Sequence, residues 1–137
     1  MSNKGRKIIF SAKGVAECVE FEIPRPRGDE MLVETDYTVI SAGTERALLL
    51  DMPNVSHVWP KMSGYSGSGH IIAVGDDVDG FKVGDRVLTD HLLNKSHAVA
   101  RFQHNKDGVC AIQEPVDQLE AAFVVIGSMG LQGARQT

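Results

Sequence analysis

The chain has 137 residues, 42% of them hydrophobic and 23% charged, a composition that suits one globular domain and argues against wholesale disorder. Fourteen Lys and Arg against eighteen Asp and Glu leave a net charge of −4 with no basic block, which argues against nucleic-acid binding. No apolar run approaches the ~18 residues of a membrane span. Ile8-Ile9-Phe10 is too short for a secretory signal, and Cys18 and Cys110 form neither C-x-x-C nor a disulfide framework, so a reduced, cytoplasmic setting is expected.

Strand signals dominate the first three quarters. Lys7-Ile8-Ile9-Phe10 predicts a short strand. Val15 to Ile23 alternates, with the mostly apolar Val15, Glu17, Val19, Phe21 and Ile23 on one side and Glu20 and Glu22 on the other. Pro24-Arg25-Pro26-Arg27-Gly28 is a turn, because proline cannot donate to a ladder. Met31 to Ile40 predicts a long strand whose more apolar face holds Val33, Thr35, Tyr37 and Val39. Ser41-Ala42-Gly43-Thr44 then introduces a short helix over Glu45–Leu50, with Thr44 as its N-cap. The two prolines between Asp51 and Lys61 mark a loop. Strands are expected at His70–Val74, Arg86–Thr89, Ser96–Phe102 and Val109–Ile112, separated by glycine turns. After Pro115, Asp117 is placed to cap one final helix with Leu119, Phe123 and Ile126 on an apolar face. Many short strands with few helices predict a mainly β fold, a barrel or sandwich.

The segment Gly64-Tyr65-Ser66-Gly67-Ser68-Gly69 has the glycines of a nucleotide-binding loop but not its surroundings. The dinucleotide fingerprint lies between a strand and a helix, whereas here a strand follows. These glycines are read as places where backbones pack closely. The histidines His57, His70, His91, His97 and His104 show no H-x-x-x-H or H-E-x-x-H spacing. His70, His91 and His97 are the nearest three in sequence, and a zinc site needs three or four convergent ligands.

Taken together, Ile40-Ser41-Ala42-Gly43-Thr44-Glu45, Gly64-Tyr65-Ser66-Gly67-Ser68-Gly69 and Val74-Gly75-Asp76-Asp77-Val78-Asp79-Gly80-Phe81-Lys82-Val83-Gly84-Asp85-Arg86-Val87 resemble the medium-chain dehydrogenase/reductase family. The match is to its GroES-like catalytic domain and runs over roughly residues 7–127. The last segment follows the family's V-G-x-x-V-x-x-F-x-V-G-D-R-V at nearly every defined position. Ser96-His97-Ala98-Val99 is similar to the strand that follows it.

The resemblance implies a GroES-like β-barrel over residues 1–115, then a connecting helix over 116–137 leading towards a Rossmann domain that this chain lacks. It implies an oxidoreductase in which NAD or NADP exchanges hydride with a carbonyl, alcohol or activated alkene. No cofactor is expected on this stretch alone. In zinc-dependent members the metal is held at three positions that here are Ala42, Tyr65 and Ser66, with a fourth near Ile126 or Gly127. None is a usual ligand, so no zinc is expected. Thr44 matches the hydroxyl position that relays a proton from substrate. Tyr65 is either a proton donor to a carbonyl oxygen or an aromatic filling the vacated metal pocket. Ser41, Glu45 and Arg46 of the same loop are the candidate cofactor contacts. The expected partners are a small-molecule substrate and the Rossmann domain, and an exposed apolar helix face would favour self-association. The rival reading is a stand-alone GroES-like binding module without catalysis.

Overall fold

The computed structural model describes residues 3–90, 92, 94–101 and 108–135. Among the described residues, eight strands form two antiparallel sheets. The smaller is built from β1 (Lys4–Ala12), β2 (Val15–Glu22) and β4 (Lys61–Met62) in the order β2-β1-β4. The larger contains β3 (Glu30–Thr38), β5 (Gly67–Val74), β6 (Arg86–Thr89), β7 (His97–Arg101) and β8 (Cys110–Ala111), in the order β7-β3-β5-β6-β8. An isolated bridge between Lys7 and Lys95 joins the two. The described residues also form the helices α1 (Ala42–Leu49), α2 (Gln118–Ala122) and α3 (Val124–Ala134). Each expected strand has a counterpart among the described residues, Phe102 at the end of one lying outside them, so the mainly β reading holds. Among the described residues no helix is long and apolar enough to cross a membrane.

The core lies on one face of the larger sheet. Met31 and Val33 of β3, Ile71 of β5, Val87 of β6 and Ala98 and Ala100 of β7 form a buried cluster with Leu92. Each large aliphatic side chain there contributes about 1.5–3 kcal/mol through burial. Gly67 and Gly69 lie inside β5 rather than in a turn. A Cβ at Gly69 would overlap the Glu34 carbonyl, so only glycine lets β5 approach β3 this closely.

Three local expectations are corrected. First, α1 begins at Ala42, with Ser41 at the N-cap (φ −79°, ψ 98°). Thr44 therefore stands inside the first turn and is not the cap. Second, the β3–β5 register shifts between Thr35 and Tyr37. A bulge at Asp36 breaks the two-residue alternation, and Tyr37, assigned to the apolar face, is exposed. Third, the single C-terminal helix is two. Asp117 caps α2 as expected: its Oδ1 accepts the Glu120 N–H at 2.7 Å, and Glu120 completes a capping box. The chain then tightens at Phe123, whose N–H donates to the Glu120 carbonyl at 3.1 Å, and α3 starts afresh. No α3 residue is buried, and Phe123, Val124, Met129 and Leu131 are exposed.

Candidate active site

The loop between β3 and α1 is where the sequence concentrates chemistry. β3 ends at Thr38, and the Val39 N–H donates to the Ser66 carbonyl at 2.9 Å. That bond holds the Tyr65–Ser66 segment against the start of the Ser41–Thr44 turn. Ser41 Oγ donates to Thr44 Oγ1 at 3.2 Å, and Thr44 is exposed. One hydroxyl is thus oriented by another at the N-terminus of a helix, where backbone N–H groups point outward and favour developing negative charge. Tyr65 is half-buried.

Ser66 has a different fate. It is fully buried, and its Oγ donates to the Ala122 carbonyl at 2.5 Å, at the end of α2. Ser68 does the same one pleat further on, to the Gln118 carbonyl at 2.5 Å. The two serines of the glycine-rich segment fasten α2 to β5. Sequence reasoning missed this role. The signal was the Ser-x-Ser spacing, which puts both hydroxyls on one face of a strand.

The structure divides the predicted site residues. At 3.6 residues per turn, Ala42, Glu45, Arg46 and Leu49 share one side of α1, and all four line a cavity of about 850 Å³. Thr44 projects from the opposite side of the helix and does not line it, nor do Ser41 and Tyr65. Glu45 is buried. Its Oε1 accepts from Asn94 Nδ2 at 3.3 Å, and the same amide donates to Ser63 Oγ at 3.2 Å. Arg46 is exposed. Lys95, on the wall, is half-buried, and burial together with repulsion from Lys7 holds its ammonium below the usual lysine range.

Zinc and a dinucleotide each require a particular set of partners. Ala42 carries no ligating atom, and the Ser66 hydroxyl already donates to a carbonyl. Among the described residues no group of three His, Cys, Asp or Glu side chains is placed to hold a metal ion. His70 lies between Glu34 (Nε2 to Oε2, 3.4 Å) and Asp36 (Nδ1 to Oδ2, 3.3 Å), and His97 Nδ1 lies 2.9 Å from Ser96 Oγ. His91 and His104 lie outside the described residues. The residues at the family's metal positions therefore do not fit zinc. Nor do the described residues form a strand–glycine loop–helix cradle for a pyrophosphate, because the glycine-rich segment runs directly into β5.

The sequence model of the alcohol dehydrogenase GroES-like domain matches residues 28–135, and the chain belongs to that family. Alcohol dehydrogenase 1 of Caenorhabditis elegans is 30% identical over 82 residues, 59% of this chain and 23% of that protein. The uncharacterized zinc-type alcohol dehydrogenase-like protein YdjJ of Escherichia coli is 32% identical over 87 residues, 61% of this chain and 25% of that protein. The chain thus spans about a quarter of the curated relatives it matches. Among solved structures, the quinone oxidoreductase of Coxiella burnetii superposes with a TM-score of 0.79 at 23% identity, over 97% of this chain and 45% of that one. A short chain alcohol dehydrogenase of Escherichia coli CFT073, complexed with NADH, gives 0.73 at 20% identity, over 89% and 42%.

Proposed function

We propose that this domain is the substrate-side wall of a zinc-independent, NAD(P)-dependent oxidoreductase that exchanges hydride between nicotinamide and a carbonyl, alcohol or activated alkene. One observation carries the zinc-free part. One of the positions that hold the metal in zinc-dependent relatives is here Ser66, whose hydroxyl is buried and bonded to the Ala122 carbonyl. In this reading the dinucleotide is held by a Rossmann-type domain outside these residues and supplies the hydride.

What this chain contributes is hydrogen bonding at the reacting oxygen. Thr44 Oγ1, which accepts from Ser41, has its own proton free to donate to a substrate oxygen or a cofactor ribose. Tyr65 is half-buried, and in this reading its phenol acts as a second donor towards a carbonyl oxygen. Ser41 positions Thr44. The free thiols of Cys18 and Cys110 suit a reducing compartment.

Elemental analysis after metal-free purification tests the zinc-free reading. Well under one zinc per chain is expected, and close to one per chain overturns it. Sequencing the gene beyond Thr137 tests the two-domain reading. A strand followed by G-x-G-x-x-G and a helix supports it, and a stop codon favours the binding module.

A further inference from the structure

A cavity among the described residues is lined by α1 but not by Thr44. It lies behind α1, closed by β1 and β2 on one side and by β3 and the Asn94–Ser96 segment on the other. Its volume of about 850 Å³ falls within the range of small-molecule pockets. Much of its wall is apolar, including Ile8, Phe10, Ile40, Leu49 and Leu50, so water filling it would find few partners.

Two features of the polar remainder point to a ligand. Three residues of the wall carry buried side-chain oxygens with no hydrogen-bond partner: Glu45 Oε2, Asn94 Oδ1 and Thr35 Oγ1. Glu45 is 9% exposed. The amide of Asn94 is oriented by its two donations, to Glu45 and to Ser63, which leaves its oxygen as acceptor. A buried acceptor without a donor is costly, and a ligand hydroxyl would relieve that cost. The second feature is charge. Arg6, Lys7, Arg46 and Lys95 line the cavity against Asp36 and Glu45. The four cations make no ion pair among the described residues. Lys7 has only the Phe21 ring, 5.8 Å from its Nζ.

We propose that this cavity is a binding site for a small hydroxylated organic anion. Its apolar body lies between the β1–β2 hairpin and α1, its carboxylate faces the Arg6, Lys7, Arg46 and Lys95 side chains, and its hydroxyl donates to Glu45 or Asn94 once that side chain turns its sealed oxygen into the cavity. The site goes beyond the oxidoreductase reading and does not depend on it. Thr44 and Tyr65 take no part, and binding to this domain needs no dinucleotide.

The test is a nuclear magnetic resonance titration of the ¹⁵N-labelled chain with 4-hydroxyphenylacetate, which carries ring, hydroxyl and carboxylate. Saturable shifts are expected at the amides of Ile8, Glu45, Leu49 and Ser96, with a midpoint in the millimolar range for so small a ligand. Phenylacetate, lacking the hydroxyl, should bind about fivefold more weakly. Tyrosol, lacking the carboxylate, should also bind more weakly. Glu45→Gln should weaken 4-hydroxyphenylacetate by at least about fivefold. Leu49→Trp, which fills the cavity, should abolish binding and decides the matter if Glu45→Gln does not fold. Shifts that never saturate, shifts confined to the Thr44 and Tyr65 side, or equal affinity in Leu49→Trp each overturn the proposal.

Discussion

Replacing Ser66 with alanine removes one oxygen and exposes the logic of the α2 attachment. Ser66 and Ala122 are both fully buried, and the hydroxyl-to-carbonyl distance is 2.5 Å. In Ser66→Ala the Ala122 carbonyl keeps its burial and loses this donor. Leaving a buried acceptor short of a partner costs about 1–3 kcal/mol, and the space vacated by one oxygen is too small to hold a compensating water. In a domain of this size each kcal/mol moves the melting temperature by about 4 °C, so a fall of roughly 4–12 °C is expected. Urea unfolding gives the cleaner number, because a lower midpoint at unchanged slope reports stability alone. Ser68→Ala should behave alike, since Ser68 is also fully buried and donates to Gln118 at 2.5 Å. A loss below about 0.5 kcal/mol in Ser66→Ala would show that the carbonyl finds another donor. Ser66 would then have no structural role to explain its place at a position that holds the metal in zinc-dependent relatives.

Thr44→Val, in a protein carrying both domains, should lower kcat/KM by at least about tenfold with little change in melting temperature, because Thr44 is exposed and is not the cap. A lower melting temperature with full turnover would make Thr44 structural. Tyr65→Phe keeps the ring and deletes the hydroxyl. A comparable loss of kcat/KM is expected, and full activity would make Tyr65 a filler of the empty metal pocket. Asp51→Asn tests the acid limb of stability. The Lys61 ammonium and then the His57 ring hydrogen-bond Asp51 and hold its carboxyl below the usual aspartate value of 3.8. A depressed carboxyl stabilises the fold above that value and loses its contribution as pH falls through the lower folded one. The melting-temperature gap between wild type and Asp51→Asn should therefore be full at neutral pH and close below about pH 3.8, and a gap that persists in acid refutes the linkage.

The run from Val74 to Val87 was readable because its glycines and its spaced valines serve local geometry. Gly80 and Gly84 sit at φ +80° and +92°, a conformation that side chains rarely adopt, and Val87 is buried in the core. Asp117 was readable for a similar reason, since a capping box lies within four residues. The bulge at Asp36 was not. It arises where β3 must match β5 across the close approach at Gly69, a constraint set by a partner strand distant in sequence. The cavity was hidden for the same reason. Its walls come from β1, β2, β3, α1, Ser63 and the 94–96 segment, and no window of sequence contains two opposite sides of it.

The six residues from Ser41 to Arg46 show what the sequence cannot convey even when its motif is found. Read as a loop, they form one cluster, and Ser41, Thr44, Glu45 and Arg46 belong to one cleft. Starting the helix at Ala42 instead of Glu45 changes the geometry, because each residue then turns about 100° from the last. Thr44 goes to one side with the Ser41 hydroxyl, while Glu45 and Arg46 turn with Ala42 and Leu49 towards the cavity. A shift of three residues in a helix start thus separates what a linear reading joins. It also makes the two proposals independent: the reacting-oxygen role rests on Thr44 and Tyr65, and the anion site on Glu45 and the cations around it. A hydroxylated anion that perturbs the Glu45 amide and leaves that of Thr44 unmoved would be the direct mark of that division.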